Sequence, residues 1–370
     1  MRILFWTGTF WPSIGGVEVL AARLLPALRD RGHDCVIVAP KAHPDWPDHA
    51  RFQDIPLYRF AFRPHSAGDS FAHFTDVRHR VADLKRAFAP HLVHLNAVGA
   101  DNLFHLSTAA IAPAPLLVTL HGQWPLQANS IVAQALRAAD WVVACSGAML
   151  EQGRALAPEI VPRSSVLYTG LDVPREAPAP LPFAPPRVLC VGRLAHEKGF
   201  DLAITAFGMI LPRFPRARLV IAGNGAIREQ LERQAADHGL SHAVDFVGWV
   251  APDRVPGLLN DATVVMIPSR SEGFGLVALE AALMARPVVA TRVGGLPEVV
   301  THDETGLLVE SDDAMALARA TSFLLEHREL AVQIGLAARD RARTSFGWER
   351  HVDAYDTLYR TLARQPREPA

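Results

Sequence analysis

Ten short runs of β-branched and apolar residues recur along this chain, at 3–6, 35–39, 92–95, 116–120, 141–144, 188–191, 219–222, 244–247, 263–267 and 288–290, with room for a helix between neighbours. Strands that alternate with helices assemble into parallel sheets, because a parallel pair needs a crossover and the crossover helix covers the sheet. The runs form two series. Between them, residues 173–186 carry six prolines, which neither continue a helix nor sit inside a central strand. The fold class predicted is α/β: two Rossmann-like, doubly wound parallel-sheet domains facing a cleft. The boundaries read as 1–172 for the first domain, 173–187 for a semi-rigid proline-rich linker and 188–345 for the second. A C-terminal helix at 346–370, with apolar or aromatic residues at 348, 352, 355, 358, 359 and 362, needs a surface to pack on and is expected to cross back to the first domain. At 370 residues the chain is too long for one ordinary core, and with 49% hydrophobic residues it is too apolar for disorder.

The most informative stretch is Pro268-Ser269-Arg270-Ser271-Glu272-Gly273-Phe274-Gly275-Leu276-Val277-Ala278-Leu279-Glu280. It reads as the end of a strand, a glycine turn and a helix at 276–285 halted by Pro287. Such a turn aims backbone N–H groups at one point. Gly273 and Gly275 remove side chains that would hold a ligand away, and the helix N-terminus adds partial positive charge, a combination suited to phosphate. Glu272 and Glu280, with seven residues between them, fall about two helical turns apart. They can reach two separated hydroxyl-bearing parts of one elongated ligand, as in a nucleotide sugar.

Arg193 and Lys198 follow the 188–191 run in Gly192-Arg193-Leu194-Ala195-His196-Glu197-Lys198-Gly199. A planar fork of donors and a point charge suit two adjoining phosphates, although a solvated basic loop has the same composition. In the first domain, Gly15 and Gly16 lie between the first strand and a helix at 17–31, which permits close backbone approach but is also the makeup of a plain strand-to-helix turn. His121 closes the 116–120 run, where an imidazole could donate a hydrogen bond to a sugar hydroxyl or steady developing charge.

Several classes are disfavoured. A formal net charge of −1, from 37 basic and 38 acidic residues, lacks the basic footprint of a nucleic-acid binder. Cys35, Cys145 and Cys190 sit in strand-like runs without metal-ligand spacing and read as buried free thiols. His91 with His94, and His73 with His79, lack the pattern of a metal pair on one helix face. Asp-any-Asp, which would hold Mg²⁺ against a diphosphate, is absent from the sequence. No metal or other cofactor is therefore expected. Residues 273–278 also match the G-x-G-x-x-A dinucleotide fingerprint, yet the following strand ends in Thr291-Arg292 rather than an acid for a ribose. No run of 18 apolar residues exists, and residues 2–6 begin a strand rather than a signal peptide, so a cytoplasmic location is expected. Arg78, Arg80, Lys85 and Arg86 decorate a helix whose apolar positions are Val77, Val81, Leu84 and Phe88. That helix could lie peripherally on an anionic inner membrane face, or be a surface helix with an inward apolar stripe.

With these residues in view, the chain resembles, over essentially its whole length, the retaining nucleotide-sugar glycosyltransferases of family 4, which have the two-domain GT-B fold. The family's Glu-x7-Glu element is matched by Glu272 and Glu280. The resemblance implies that Glu272 lies by the transferred sugar, that Glu280 holds the ribose, and that Gly273, Phe274, Gly275 and Leu276 supply backbone to the donor. Arg193 and Lys198 match Gly-Arg-x4-Lys-Gly and would bind the diphosphate; Gly15 and Gly16 match the Gly-Gly loop, and His121 the histidine near the reacting sugar. Phe246-Val247-Gly248-Trp249 resembles the loop beside the base. Tyr168-Thr169-Gly170 departs from the family pattern, which has Asn before the glycine. The implied activity is metal-independent hexosyl transfer from a UDP- or GDP-linked sugar to a saccharide, lipid-linked or small-molecule hydroxyl, in polysaccharide or glycolipid biosynthesis. A GT-B sugar-nucleotide epimerase and a non-catalytic nucleotide-sugar binding protein stay open. Residues 43–75 are expected to include a variable acceptor loop.

Overall fold

The structure, a computed structural model, describes residues 1–13, 15–63, 70–122 and 130–364. It divides into two compact units, Met1–Leu167 with His351–Ala370, and Tyr168–Arg350.

The first unit holds an eight-stranded sheet: β1 (Arg2–Trp6), β2 (Asp34–Pro40), β3 (His49–Phe52), β4 (Ile55–Phe60), β5 (Leu92–Leu95), β6 (Leu116–Leu120), β7 (Trp141–Ala144) and β8 (Ser164–Val166). Their spatial order is β3-β4-β2-β1-β5-β6-β7-β8. Every pairing is parallel except β3 with β4, an edge hairpin. Within the expected acceptor loop at 43–75, residues 49–52 and 55–60 are thus strand, and 64–69 lie outside the described residues. The central strands are buried on both faces, as in Ile3, Leu4, Phe5 and Trp6, each 0% exposed. Continuous apolar runs are what a sheet covered on both faces requires. Connections leave β1 towards β2 on one side and return as β5 on the other, and ligands of such sheets gather at the carboxyl ends beside this switch point.

The second unit has six strands: β9 (Arg187–Val191), β10 (Arg218–Ala222), β11 (Val244–Gly248), β12 (Val264–Ile267), β13 (Val288–Thr291) and β14 (Leu307–Val309). Their order is β11-β10-β9-β12-β13-β14, all parallel, with the switch between β9 and β12. Val188, Cys190, Leu219 and Ile221 pack on Phe200 and Phe207 of helix Phe200–Ile210 and on Leu317 and Leu324 of helix Ala314–Glu326. Burying each of these phenylalanines contributes about 2 to 3 kcal/mol.

The proline-rich segment belongs to this second unit and is fastened to it. Asn260 accepts from Ala179 N at 2.9 Å and donates to Glu176 Oε1 and Ala177 O at 2.8 and 3.0 Å. The buried Arg286 guanidinium reaches the carbonyls of Met284, Ala262 and Ala179. Residues 168–171 and 346–348 also run side by side, with Leu171 N donating to Phe346 O at 3.0 Å and Trp348 N to Leu171 O at 3.2 Å.

The C-terminal helix spans Trp348–Arg364, and from His351 onward its residues count with the first unit. The basic helix, Ser70–Phe88, departs from the outward-facing cation stripe. Lys85 is 1% exposed and donates to His105 Nδ1 and His105 O, both at 3.0 Å. Arg80 is paired with Asp48 and Arg86 with Asp83. No helix among the described residues is long and apolar enough to cross a membrane.

Candidate functional site

The second unit concentrates the singled-out residues where β9 and β12 end side by side. After β9 the chain makes a short 3-10 turn, His196–Lys198, and enters its helix through Gly199 at φ +66°. A Cβ at Gly199 would collide with the carbonyl oxygen of Pro268. Glycine is thus demanded twice, by backbone conformation and by the approach of the β12 loop. Arg270 N donates to Glu197 O at 2.8 Å, which sews the two loops together.

This approach brings Lys198 Nζ to 2.7 Å from Glu272 Oε2, with Ser269 Oγ donating to the same oxygen at 3.2 Å. The side chains of Lys198 and Glu272 are 26% and 15% exposed, so the pair is partly open to solvent rather than in the interior. The β13 loop closes against the same point, because Gly294 has no Cβ to strike Glu272 O.

Helix Leu276–Leu283 starts at Gly275, φ +104°, and is two residues shorter than its sequence pattern suggests, with Ala285 turning out of it at φ +53°. Phe274 is 4% exposed and packs its ring on Tyr168 and Phe346, at 6.2 and 5.6 Å between centroids. Only its backbone is left to face a ligand. Leu276 and Glu280 are half-buried and lie one turn apart on the helix. Gly248 ends β11 at φ +75° and accepts from Gly223 N at 2.7 Å; Trp249 beside it is 52% exposed.

Arg193 is placed differently. Its side chain is 72% exposed and its Nη2 donates to Glu197 Oε1 at 2.8 Å, so it joins neither Lys198 nor Glu272. Sequence reasoning gave Arg270 no role, yet its guanidinium holds both Asp201 oxygens at 2.8 and 2.6 Å, Asp312 Oδ1 at 2.6 Å and His196 O at 2.9 Å. It ties together the loops after β9, β12 and β14. The pattern offers no signal for this, because the partners lie far away in sequence.

In the first unit, Gly15 precedes helix Gly16–Asp30 in extended conformation. Glu18 folds back over it, with Oε1 accepting from Thr9 Oγ1, and a Cβ on Gly15 would strike the Glu18 carboxylate. Ile14 lies outside the described residues. His121 follows β6, and its Nε2 is 3.1 Å from Asn96 Oδ1, just past β5. Part of its side chain meets solvent, although protein packs around the ring at interior density. That burial, and next the nearby His351, press its pKa down to about 4. His94 sits between Tyr359 and Thr119, and His91 Nδ1 accepts from Arg2 N, so both have structural partners. Among the described residues no group of three or more His, Cys, Asp or Glu is arranged to hold a metal.

Two parallel-sheet α/β units, each with glycine turns at its strands' carboxyl ends, are the architecture of the GT-B class, and the comparisons with known proteins supply the activity. Residues 14–175 match the family model described as Glycosyltransferase Family 4, and residues 176–341 that described as Glycosyl transferases group 1. A GDP-mannose-dependent alpha-(1-6)-phosphatidylinositol monomannoside mannosyltransferase from Mycobacterium tuberculosis is 30% identical over 94% of this chain and 95% of its own. A glycogen synthase from the same organism is 29% identical over 100% of this chain and 97% of its own. The solved sucrose-phosphate synthase from Thermosynechococcus elongatus superposes with a TM-score of 0.84 over 98% of this chain and 99% of that one, at 24% identity. The chain belongs to the family 4 glycosyltransferases.

Proposed function

We propose that the protein is a retaining, metal-independent transferase that moves a hexosyl group from a UDP- or GDP-linked sugar to a hydroxyl of a saccharide, lipid-linked or small-molecule acceptor. The observation that carries this reading is the Lys198–Glu272 pair at 2.7 Å, beside the start of helix Leu276–Leu283. As the bond from the anomeric carbon to the diphosphate lengthens, negative charge grows on the departing phosphate and positive character on the sugar. Lys198 and the N–H groups of the Gly273–Leu276 turn meet the former, and Glu272 stands by the latter. For Arg193 a share in this requires exchange of the Glu197 carboxylate for phosphate. Glu280 takes the ribose, the Gly248 loop the base, and Gly15, Gly16 and His121 the reacting end of the donor.

Same-face transfer follows from a leaving phosphate that itself accepts the acceptor's proton, with no carboxylate nucleophile opposite it. The name of the mannosyltransferase relative supports a GDP-linked sugar as one candidate donor. The three free, buried cysteines support a reducing, cytoplasmic setting. The first test is a thermal-shift screen against UDP, GDP, ADP and NAD⁺ with EDTA present, on the wild type and Glu280→Ala. Selective stabilisation by one nucleoside diphosphate, weakened in the variant, is the expected result. Stabilisation by NAD⁺ alone would sink the transferase reading. The anomeric configuration of the product, followed by NMR from the donor so identified, then tests retention.

A further inference from the structure

His94 and Asn96 follow one another by two along β5 and its continuation, and Thr119 and His121 do so along β6, so all four side chains share one face of the first sheet. Against that face the C-terminal helix sets His351, Tyr355 and Tyr359, spaced by one turn each. Tyr359 OH is 2.6 Å from His94 Nδ1, His94 Nε2 is 2.7 Å from Thr119 Oγ1, and Thr119 Oγ1 is 3.2 Å from Tyr355 OH. Tyr359, His94, Thr119 and Tyr355 are 0–2% exposed, so this is an interior polar ladder that must be satisfied to be tolerated. Its last rung lies at His121, with Asn96 on one side and His351 nearby on the helix.

The Asn96 contact carries chemical information. Asn96 is 3% exposed and presents Oδ1, an atom that only accepts, to His121 Nε2. The ring therefore donates through Nε2, which leaves a lone pair on Nδ1, and Nδ1 has no hydrogen-bond partner among the described residues.

We propose that Asn96 is a positioning residue for His121: it locks the imidazole as the Nε2–H tautomer, so that Nδ1 meets a sugar hydroxyl as a hydrogen-bond acceptor rather than as a donor. This rests on the place given to His121 under the proposed function, and it replaces the donor role that the sequence pattern suggested. The groups facing the ring agree with a neutral form. From β5 and its continuation come neutral His94 and Asn96, from the end of β7 the Cys145 thiol against His121 O at 3.8 Å, and from the helix His351. Burial, followed by His351, disfavours the imidazolium.

The test reads the proton directly. In the full-length protein labelled with ¹⁵N-histidine, two-bond ¹H–¹⁵N spectra distinguish the tautomers, and the His121 signals are those lost in His121→Gln. The wild type is expected to show Nε2–H, with no protonation of this ring down to about pH 5 given a folded pKa near 4. Asn96→Asp keeps an acceptor but adds a charge that favours imidazolium, so the titration of His121 should move to higher pH. Asn96→Leu should let the Nδ1–H tautomer appear. An Nδ1–H wild type, or a His121 titration unmoved in Asn96→Asp, overturns the proposal. Should either variant not fold, the wild-type tautomer still decides. Full transfer activity in His121→Ala is a separate result: it would remove His121 from the reaction while leaving the proton assignment standing.

Discussion

Lys198 Nζ and Glu272 Oε2 meet at 2.7 Å although 74 positions separate them in sequence, and neither side chain is fully withdrawn from solvent. An ion pair so placed adds little to stability, about 1 kcal/mol or less. Its use is local: the cation is held next to a helix N-terminus where a departing phosphate would sit. Lys198→Ala should lower kcat by about 10²- to 10³-fold, the range for losing one donor to developing charge. The melting temperature should move by no more than a few degrees. A variant that loses stability and activity together would instead make the pair a structural strut.

Arg193 and Glu197 set up a competition that a free enzyme with open arginines would not have. The pair is solvent-exposed, at 72% and 42%, so separating it costs on the order of 1 kcal/mol. Glu197→Gln should therefore tighten binding of the nucleoside diphosphate by up to about fivefold, with the gain shrinking as salt is raised. Isothermal titration with UDP or GDP at two ionic strengths checks this. Unchanged affinity at both would show that Arg193 does not reach the phosphates.

Arg270 supplies a pH dependence whose sign can be worked out. Burial raises the Asp201 pKa, but the Arg270 hydrogen bonds and charge outweigh it, and the carboxyl ends up below its usual value. A folded pKa below the unfolded one contributes stability that is complete above about pH 4 and is lost as pH falls through the folded pKa. Arg270→Ala should destabilise the second unit by roughly 2 to 3 kcal/mol, since it leaves Asp201 partly buried without its partner. It should also flatten the fall of the urea midpoint between about pH 5 and 3. An Arg270→Ala profile parallel to wild type would contradict this assignment.

How far the chain could be read from its letters varied with the physics involved. The strands at 92–95, 116–120 and 141–144 fall on β5, β6 and β7 to the residue, because central parallel strands are unbroken apolar runs. β3 and β4 escaped notice. The edge hairpin His49–Phe52 with Ile55–Phe60 mixes His49, Arg51, Pro56 and Arg59 into its strands, and edge strands tolerate polar residues and proline. β8 and β14 have three residues each, too few for a pattern to register. At the site, backbone demands were legible and side-chain partnerships were not. Gly275 announced a turn that the structure contains. Nothing in Gly-Arg-x4-Lys reveals that Glu197 takes the arginine, nor that Glu18 covers the Gly15 turn. Such outcomes depend on which polar atoms the fold brings within reach, and periodicity carries no information about that.

Lys85 shows the same limit and yields the last expectation. Read as part of a basic surface helix, it is instead buried beside His105, and desolvation lowers its pKa from 10.5 to about 7. The native state then binds fewer protons than the unfolded state between about pH 7 and 10, so stability should rise with pH across that window. Lys85→Met fills the same slot without a charge to desolvate, and should abolish that rise while increasing stability at pH 7 or below. The measurement is the urea midpoint at pH 6, 7, 8 and 9 for both proteins. Burial of Lys85 also removes it from any surface that could meet anionic lipid. The variant should therefore bind anionic vesicles as the wild type does, and weaker binding by Lys85→Met would place this lysine outside the core that the structure gives it.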